Sequence, residues 1–278
     1  MCATCGCDDP AGTRVSVLHS HVGGDAAAAH DHPGQHGEPG HAHEAPAVRV
    51  EPPDHHRTVV IERQILDRND ALAQANRRWL AGRRIVALNM MSSPGSGKTT
   101  LLQRTIGELR DARPVAVIEG DQETHLDAER IRSTGAPVVQ INTGAGCHLD
   151  AEMLRRGLEA LDPAEDSIVF VENVGNLVCP ALFDLGETAR VVVISVTEGD
   201  DKPLKYPHMF SGADLLIVNK TDLLPYVDFS VARCTANARA ANPELEVLPM
   251  SVTAGDGVRE WTEWVTAQSR PPPQVNRR

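Results

Sequence analysis

The chain has 278 residues, with 27 Lys and Arg against 38 Asp and Glu, a net charge of −11. An acidic chain without a basic cluster is a poor non-specific nucleic-acid binder, because that binding rests on Lys and Arg neutralising phosphates. No run of about 18 apolar residues offers a membrane span, and Met1 to Cys7 lacks the basic and apolar regions of a secretory signal. The expected compartment is therefore the cytosol, where clustered cysteines read as metal ligands or redox groups before disulfides.

The charge is unevenly spread. The first 56 residues hold eight acids and two bases, a net of −6, together with nine of the 12 His and three of the six Cys. Their start, Cys2-Ala3-Thr4-Cys5-Gly6-Cys7, can wrap three thiolates about one soft or borderline cation, with Gly6 allowing the sharp turn. His19, His21, His30, His32, His36, His41, His43, His55 and His56 follow on a Pro- and Gly-rich segment without a large aromatic residue. Such a segment cannot bury enough apolar surface to offset its ordering entropy. It is expected to be a disordered tail over 1–56 that collects Ni²⁺, Zn²⁺ or similar ions with modest affinity.

Order is expected from residue 57. Apolar residues over 59–80 fit one face of a helix. From residue 85 onward, short Val- and Ile-rich runs at 85–91, 115–118, 138–141, 168–171, 191–196, 215–218 and 247–250 read as strands buried on both faces. Helical segments are expected between most of them, at 99–110, 148–161, 229–241 and 258–267. This alternation implies an α/β, three-layer domain over 57–270 with a mainly parallel sheet of about seven strands. The Pro-rich residues 271–278 read as a loose tail.

The first of these strands runs into Ser92-Ser93-Pro94-Gly95-Ser96-Gly97-Lys98-Thr99-Thr100 and then a helix, the context a phosphate-binding P-loop requires. Backbone amides of residues 93–100 can turn toward phosphate oxygens, with Lys98 reaching the β/γ oxygens and the Thr99 hydroxyl a Mg²⁺ ligand. Ser92 stands where the strict pattern has Gly. After a late strand comes Asn219-Lys220-Thr221-Asp222, whose Asp222 carboxylate can accept from guanine N1–H and the 2-amino group together. Ser251 and Val252 are placed to present backbone amides to the guanine oxygen. Asp121 and Glu172, at the ends of two strands, are candidates to bind Mg²⁺ and orient the attacking water. With no Gln placed for that task, slow intrinsic hydrolysis is expected. Cys147-His148 and Cys179 leave neighbouring strand ends and form a candidate set of soft metal ligands, completed by a second subunit.

In combination, MCxxCGC at the N-terminus, SSPGSGKTTLL, NTGAGCHLDA, ENVGNLVCP and NKTD resemble the HypB-type hydrogenase nickel-incorporation GTPases, over nearly the whole chain. The resemblance implies a P-loop GTPase that dimerises around GTP and delivers Ni²⁺ to the large subunit of [NiFe] hydrogenase with a HypA-type partner. It further implies a tight nickel site at Cys2, Cys5 and Cys7, and a weaker nickel or zinc site at Cys147, His148 and Cys179 on the dimer interface. The alternatives are a urease-type nickel GTPase and a nickel-storage protein with a regulatory GTPase domain.

Overall fold

The structure, a computed structural model, describes residues 14–17, 55–121, 126–144 and 146–268. The Cys2/Cys5/Cys7 cluster, seven of the nine tail histidines (His19 to His43) and the C-terminal residues 271–278 lie outside the described residues. His55 and His56 form the start of the first helix, so order begins two residues, and the helix four residues, earlier than expected.

The elements follow in order: β1 (Arg14–Val17), α1 (His55–Gly82), β2 (Val86–Ser92), α2 (Lys98–Leu109), β3 (Val115–Asp121), α3 (Leu126–Arg132), β4 (Val138–Asn142), α4 (Ala151–Leu161) and β5 (Ile168–Gly175). A short 3₁₀ turn (Cys179–Leu182) leads to β6 (Ala189–Ser195), α5 (Lys202–Lys205), α6 (Pro207–Ser211) and β7 (Leu215–Asn219). A second 3₁₀ turn (Thr221–Tyr226) precedes α7 (Val231–Ala241), β8 (Glu246–Pro249) and α8 (Val258–Ala267).

One sheet runs β1-β4-β3-β5-β2-β6-β7-β8. The seven expected strands, β2 to β8, are all parallel. β1 is an addition: it pairs antiparallel with the edge strand β4, Arg14 opposite Asn142 through Val17 opposite Val139. Its sequence, Arg-Val-Ser-Val, alternates as a strand does, so this short part of the expected disordered tail is a strand.

Period-two alternation assigns the core. Leu88 and Met90 of β2, with Phe170 of β5, face a cluster with Leu101, Leu102 and Ile106 of α2, Ile131 of α3 and Trp261 of α8. On the other face, Val169 and Val171 meet Leu80 of α1 and Leu154 and Leu158 of α4. Farther along that face Ile194 and Val218 meet Phe210 of α6 and Cys234 of α7. Trp261 is fully buried, and its Nε1 donates to the Thr105 hydroxyl at 2.7 Å, pinning α8 to α2.

The expected helix at 148–161 begins instead at Ala151, where the Asp150 side chain accepts from the Met153 amide at 2.7 Å and caps the first turn. Residues 147–150 are thus freed as a loop. Because every strand of the parallel set points the same way, all of its C-terminal ends open on one crevice, where ligands of such sheets bind.

Candidate functional site: a phosphate loop beside a thiol–imidazole cluster

β2 ends at Ser92, the loop of residues 93–97 crosses the crevice, and α2 begins at Lys98. Gly97 has φ of +102°, and a Cβ there would lie 2.6 Å from Asn219 Nδ2. Both the left-handed backbone and the close approach require glycine. The Lys98 ammonium donates to Ser92 Oγ at 2.6 Å, and that hydroxyl donates to the Ser93 carbonyl at 2.6 Å. The departure from Gly at position 92 therefore supplies a parking place for the lysine. The buried hydroxyls of Ser93 and Ser96 have no protein partner. Buried donors of that kind cost free energy unless something accepts from them, and an anion held by the loop would do so.

Below the loop lies an acidic floor. Thr99 Oγ1 donates to Glu172 Oε1 at 2.7 Å. Glu119 of β3 sits in register with Glu172 of β5, and both are buried. Burial, the adjacent Glu172 and Asp121 push the Glu119 carboxyl up to about 9. Burial also raises Glu172, opposed by Lys98 and the Thr99 hydrogen bond, and lowers Lys98, opposed by Glu172. Two adjacent buried carboxyls do not both ionise readily without a compensating cation. Oε2 of Glu119 and Oε2 of Glu172 are buried without a hydrogen-bond partner. With the Thr99 hydroxyl and Asp121, this all-oxygen set fits a hard divalent cation such as Mg²⁺.

The cleft over this floor has a volume of about 530 Å³, and its lining includes residues 94–100, Asp121, Asp127, Arg130, Glu172, Gly175 and Lys220. Its outer end is tied to the β7 exit. Asn219 Nδ2 donates to the Ser96 carbonyl at 2.8 Å, its Oδ1 accepts from the Val252 amide at 3.3 Å, and Lys220 Nζ donates to the Gly95 carbonyl at 2.8 Å. Ser251 Oγ donates to Asp222 Oδ1 at 2.6 Å, orienting the carboxylate assigned to base reading.

The second constellation is adjacent. The metal-ligating atoms of Cys147, His148 and Cys179 all lie within 4.8 Å of one another. Cys147 Sγ is 3.6 Å from His148 Nδ1. The His148 ring is buried and stacks on Phe183, with centroids 4.0 Å apart. Burial lowers its pKa, opposed by Asp150, which favours the neutral imidazole a metal needs. Val178 and Leu182, on either side of Cys179, are 54% and 53% exposed.

Residues 86–249 match the family described as CobW/HypB/UreG, nucleotide-binding domain. Hydrogenase maturation factor HypB of Escherichia coli K12 is 55% identical over 212 residues, spanning 76% of this chain and 73% of that protein. The chain belongs to the HypB family. A second member, from Azotobacter vinelandii, is 57% identical over 76% of this chain and 70% of that one. Two solved HypB structures superpose with a TM-score of 0.69. The one from Archaeoglobus fulgidus is 39% identical, over 74% of this chain and all of that one. The one from Helicobacter pylori, in complex with nickel, is 36% identical, over 73% of this chain and 95% of that one.

Against this HypB fold, the expected residues group as follows. Residues 94–100, Asp121, Glu172 and Lys220 line one cleft, and Asn219, Asp222, Ser251 and Val252 are joined to its outer end through the contacts above. Cys147, His148 and Cys179 come together. From the acidic strand end Glu119-Gly120-Asp121 sequence reasoning chose Asp121 and missed the pairing of Glu119 with Glu172, which depends on strand register. It also missed Asp127 and Arg130 of α3. The Arg130 guanidinium reaches Asp127 at 3.2 Å and the Thr100 hydroxyl at 3.1 Å, on the rim of the phosphate cleft. The i, i+3 spacing of the acid and the base was the available signal. Phe183 carried no signal at all. Among the described residues no helix is long and apolar enough to cross a membrane.

Proposed function

We propose that this chain is a GTP-hydrolysing nickel metallochaperone. It delivers Ni(II) to the large subunit of [NiFe] hydrogenase, acting with a HypA-type partner as a GTP-dependent homodimer, and nucleotide state controls the transfer. The observation that carries the reading is the placement of the Cys147, His148 and Cys179 ligand atoms within 4.8 Å of one another, in loops that follow β4 and β5, the latter a strand that also lines the phosphate cleft. Membership of the HypB family and the nickel complex of the Helicobacter pylori relative support it.

In this reading the loop amides and the Ser93 and Ser96 hydroxyls hold the phosphates, and Lys98 leaves Ser92 for the β/γ oxygens. Asp222 reads guanine, with Ser251 fixing its carboxylate and Val252 contributing an amide. Thr99, Asp121 and Glu172 would hold Mg²⁺, with Glu119 behind them. The cation there would neutralise phosphate charge. Asp121 and Glu172 orient the attacking water. With only carboxylates for this task, turnover is slow. The two thiolates and one imidazole are soft enough to prefer nickel or zinc to magnesium, and a group from the second subunit completes the site. The Cys2, Cys5 and Cys7 thiolates hold nickel tightly, and the tail histidines store it.

The test uses the full chain carrying Cys2, Cys5 and Cys7→Ser, so that a thiolate-to-nickel absorption band reports on the remaining cluster. Cys147→Ser or Cys179→Ser should abolish the band and leave GTP binding intact. Asp222→Asn should weaken GTP about 10- to 100-fold, the worth of hydrogen bonds to a charged group, and improve binding of xanthosine triphosphate. A band that survives both cysteine changes would sink the metal assignment, and unchanged base preference the guanine assignment.

A further inference from the structure

Residues 172–179 run past both sites: Glu172, Val174 and Gly175 line the phosphate cleft, while Asn173, Asn176 and Cys179 serve the cluster. Glu172 turns to the phosphate loop, where it holds the Thr99 hydroxyl. Asn173, the next residue on β5, faces the opposite side of the sheet and is 1% exposed. Its Oδ1 accepts from the Leu149 amide and the Val174 amide, both at 3.0 Å, and its Nδ2 donates to Asn89 Oδ1 at 3.3 Å. Leu149 directly follows the ligand His148. Gly175 then presses on the phosphate loop: a Cβ there would be 3.2 Å from Pro94 Cα. Asn176 turns back, with its Nδ2 donating to the Cys147 carbonyl at 3.3 Å and its Oδ1 accepting from the Val178 amide at 2.9 Å. Cys179, the third ligand, ends the stretch.

We propose that Asn173 and Asn176 are positioning residues that tie the Cys147–His148 loop to the nucleotide-sensing end of β5, and so carry the coupling between nucleotide state and metal affinity. The inference rests on the reading above that nucleotide state controls metal transfer. A displacement of Glu172 or of the Gly175–Pro94 contact shifts the backbone of 173–176. Asn176 passes that shift to the Cys147 carbonyl, in the peptide bond that joins the two ligands, and Asn173 to the Leu149 amide that follows them. Cys179 moves with its own chain, so the three ligands change their mutual geometry together. The Asn173 amide is a strong transmitter because its bonds are buried. Breaking them without replacement leaves the Leu149 amide unpaired, which costs more than a surface bond of the same length. Linkage then requires the coupling to be reciprocal.

The experiment again uses the full chain with Cys2, Cys5 and Cys7→Ser as parent, with Asn173→Ala and Asn176→Ala added singly. Nickel affinity is read from the thiolate band with GDP and with a non-hydrolysable GTP analogue. In the parent, the two affinities should differ by about fivefold or more. Asn173→Ala should shrink that ratio about twofold or more, with unity as the limit, because residues between linked sites modulate coupling by about 0.5 kcal/mol or more. Asn176→Ala, in a half-buried position that tolerates truncation, should shrink it less. GDP affinity without metal should stay at the parent value while the nickel affinities measured with the two nucleotides converge, a pattern that a merely structural role would not produce. A ratio unchanged in both variants overturns the proposal, as does a joint loss of nickel affinity and GDP affinity. If Asn173→Ala does not fold, Asn176→Ala decides by the same criteria. A parent ratio of unity overturns the nucleotide-control reading itself, and the tethers with it.

Discussion

The phosphate cleft and the thiol–imidazole cluster share the C-terminal ends of one parallel sheet, yet they are made differently. The cleft takes its core from one contiguous segment, the loop of residues 93–97 and the first turn of α2, closed from outside by Asn219 and Lys220. The cluster takes three side chains from two separate loops and stands among exposed apolar residues, Val178 and Leu182. Donor chemistry divides them equally: hydroxyl and carboxylate oxygens on the cleft floor, thiols and an imidazole in the cluster. Hard and soft cations can therefore be sorted between the two sites by ligand type. The cleft is organised by hydrogen bonds within and across its own loop, whereas the cluster loop is tied to β5 through Asn173 and Asn176.

Disabling one region and reading the other tests this separation most sharply. Lys98→Ala removes the buried ammonium that would meet the β/γ oxygens, and the GTP hydrolysis rate should fall about 10²- to 10³-fold, as when a preorganised donor to developing charge is lost. Nickel affinity of the cluster without nucleotide should be unchanged, because Lys98 donates to Ser92 and touches none of the three ligands. A parallel fall in nickel binding would show that the two regions cannot be separated.

The converse change is smaller. Phe183→Leu keeps an apolar side chain but removes the ring that stacks on His148 at 4.0 Å. Aromatic pairs contribute about 0.5–1.5 kcal/mol beyond area burial, so nickel affinity read from the thiolate band should fall about two- to tenfold, with GTP affinity retained. Unaltered nickel binding would mean that Asp150 and the loop backbone alone fix the imidazole.

How much of each region can be read from sequence follows from the same contrast. The phosphate loop, the Asn219–Asp222 tetrapeptide and the Cys147–His148 pair are contiguous, so their chemistry is visible in the residue string. Most of the seven parallel strands were legible because they are nearly continuous Val- and Ile-rich runs, although β8, Glu246–Pro249, is short and only partly buried. The partnership of Glu119 with Glu172 was hidden, because it depends on the register of two strands with a helix, a strand and a second helix between them in sequence. The tie from Asn173 to Leu149 was hidden for the same reason. Helices α5 and α6 were missed because they are four and five residues long and begin at or beside Pro203 and Pro207. Too few residues are present in either to show a helical period.

Cys234 provides the control outside both regions, with the smallest expected effect. It is fully buried on α7, among the residues packed beneath β6 and β7, and burial with Asp200 and Glu198 nearby pushes its thiol up to about 12. At pH 8 iodoacetamide followed by peptide mass mapping should find Cys147 and Cys179 alkylated and Cys234 unmodified until denaturant is added, because the thiolate is the nucleophile. The sign of the pH effect follows from linkage. An acid whose folded pKa lies above its unfolded value binds more protons in the folded state, so stability is full below the ordinary thiol pKa of about 9 and is lost as pH rises toward about 12. Urea midpoints of the metal-free protein should therefore decline between pH 8.5 and 10.5, and the decline should be shallower in Cys234→Ala, although that variant starts from a lower midpoint because of the lost packing. Ready labelling of Cys234 at pH 8, at the rate of the two cluster thiols, would mean that the α7 layer over β6 and β7 opens.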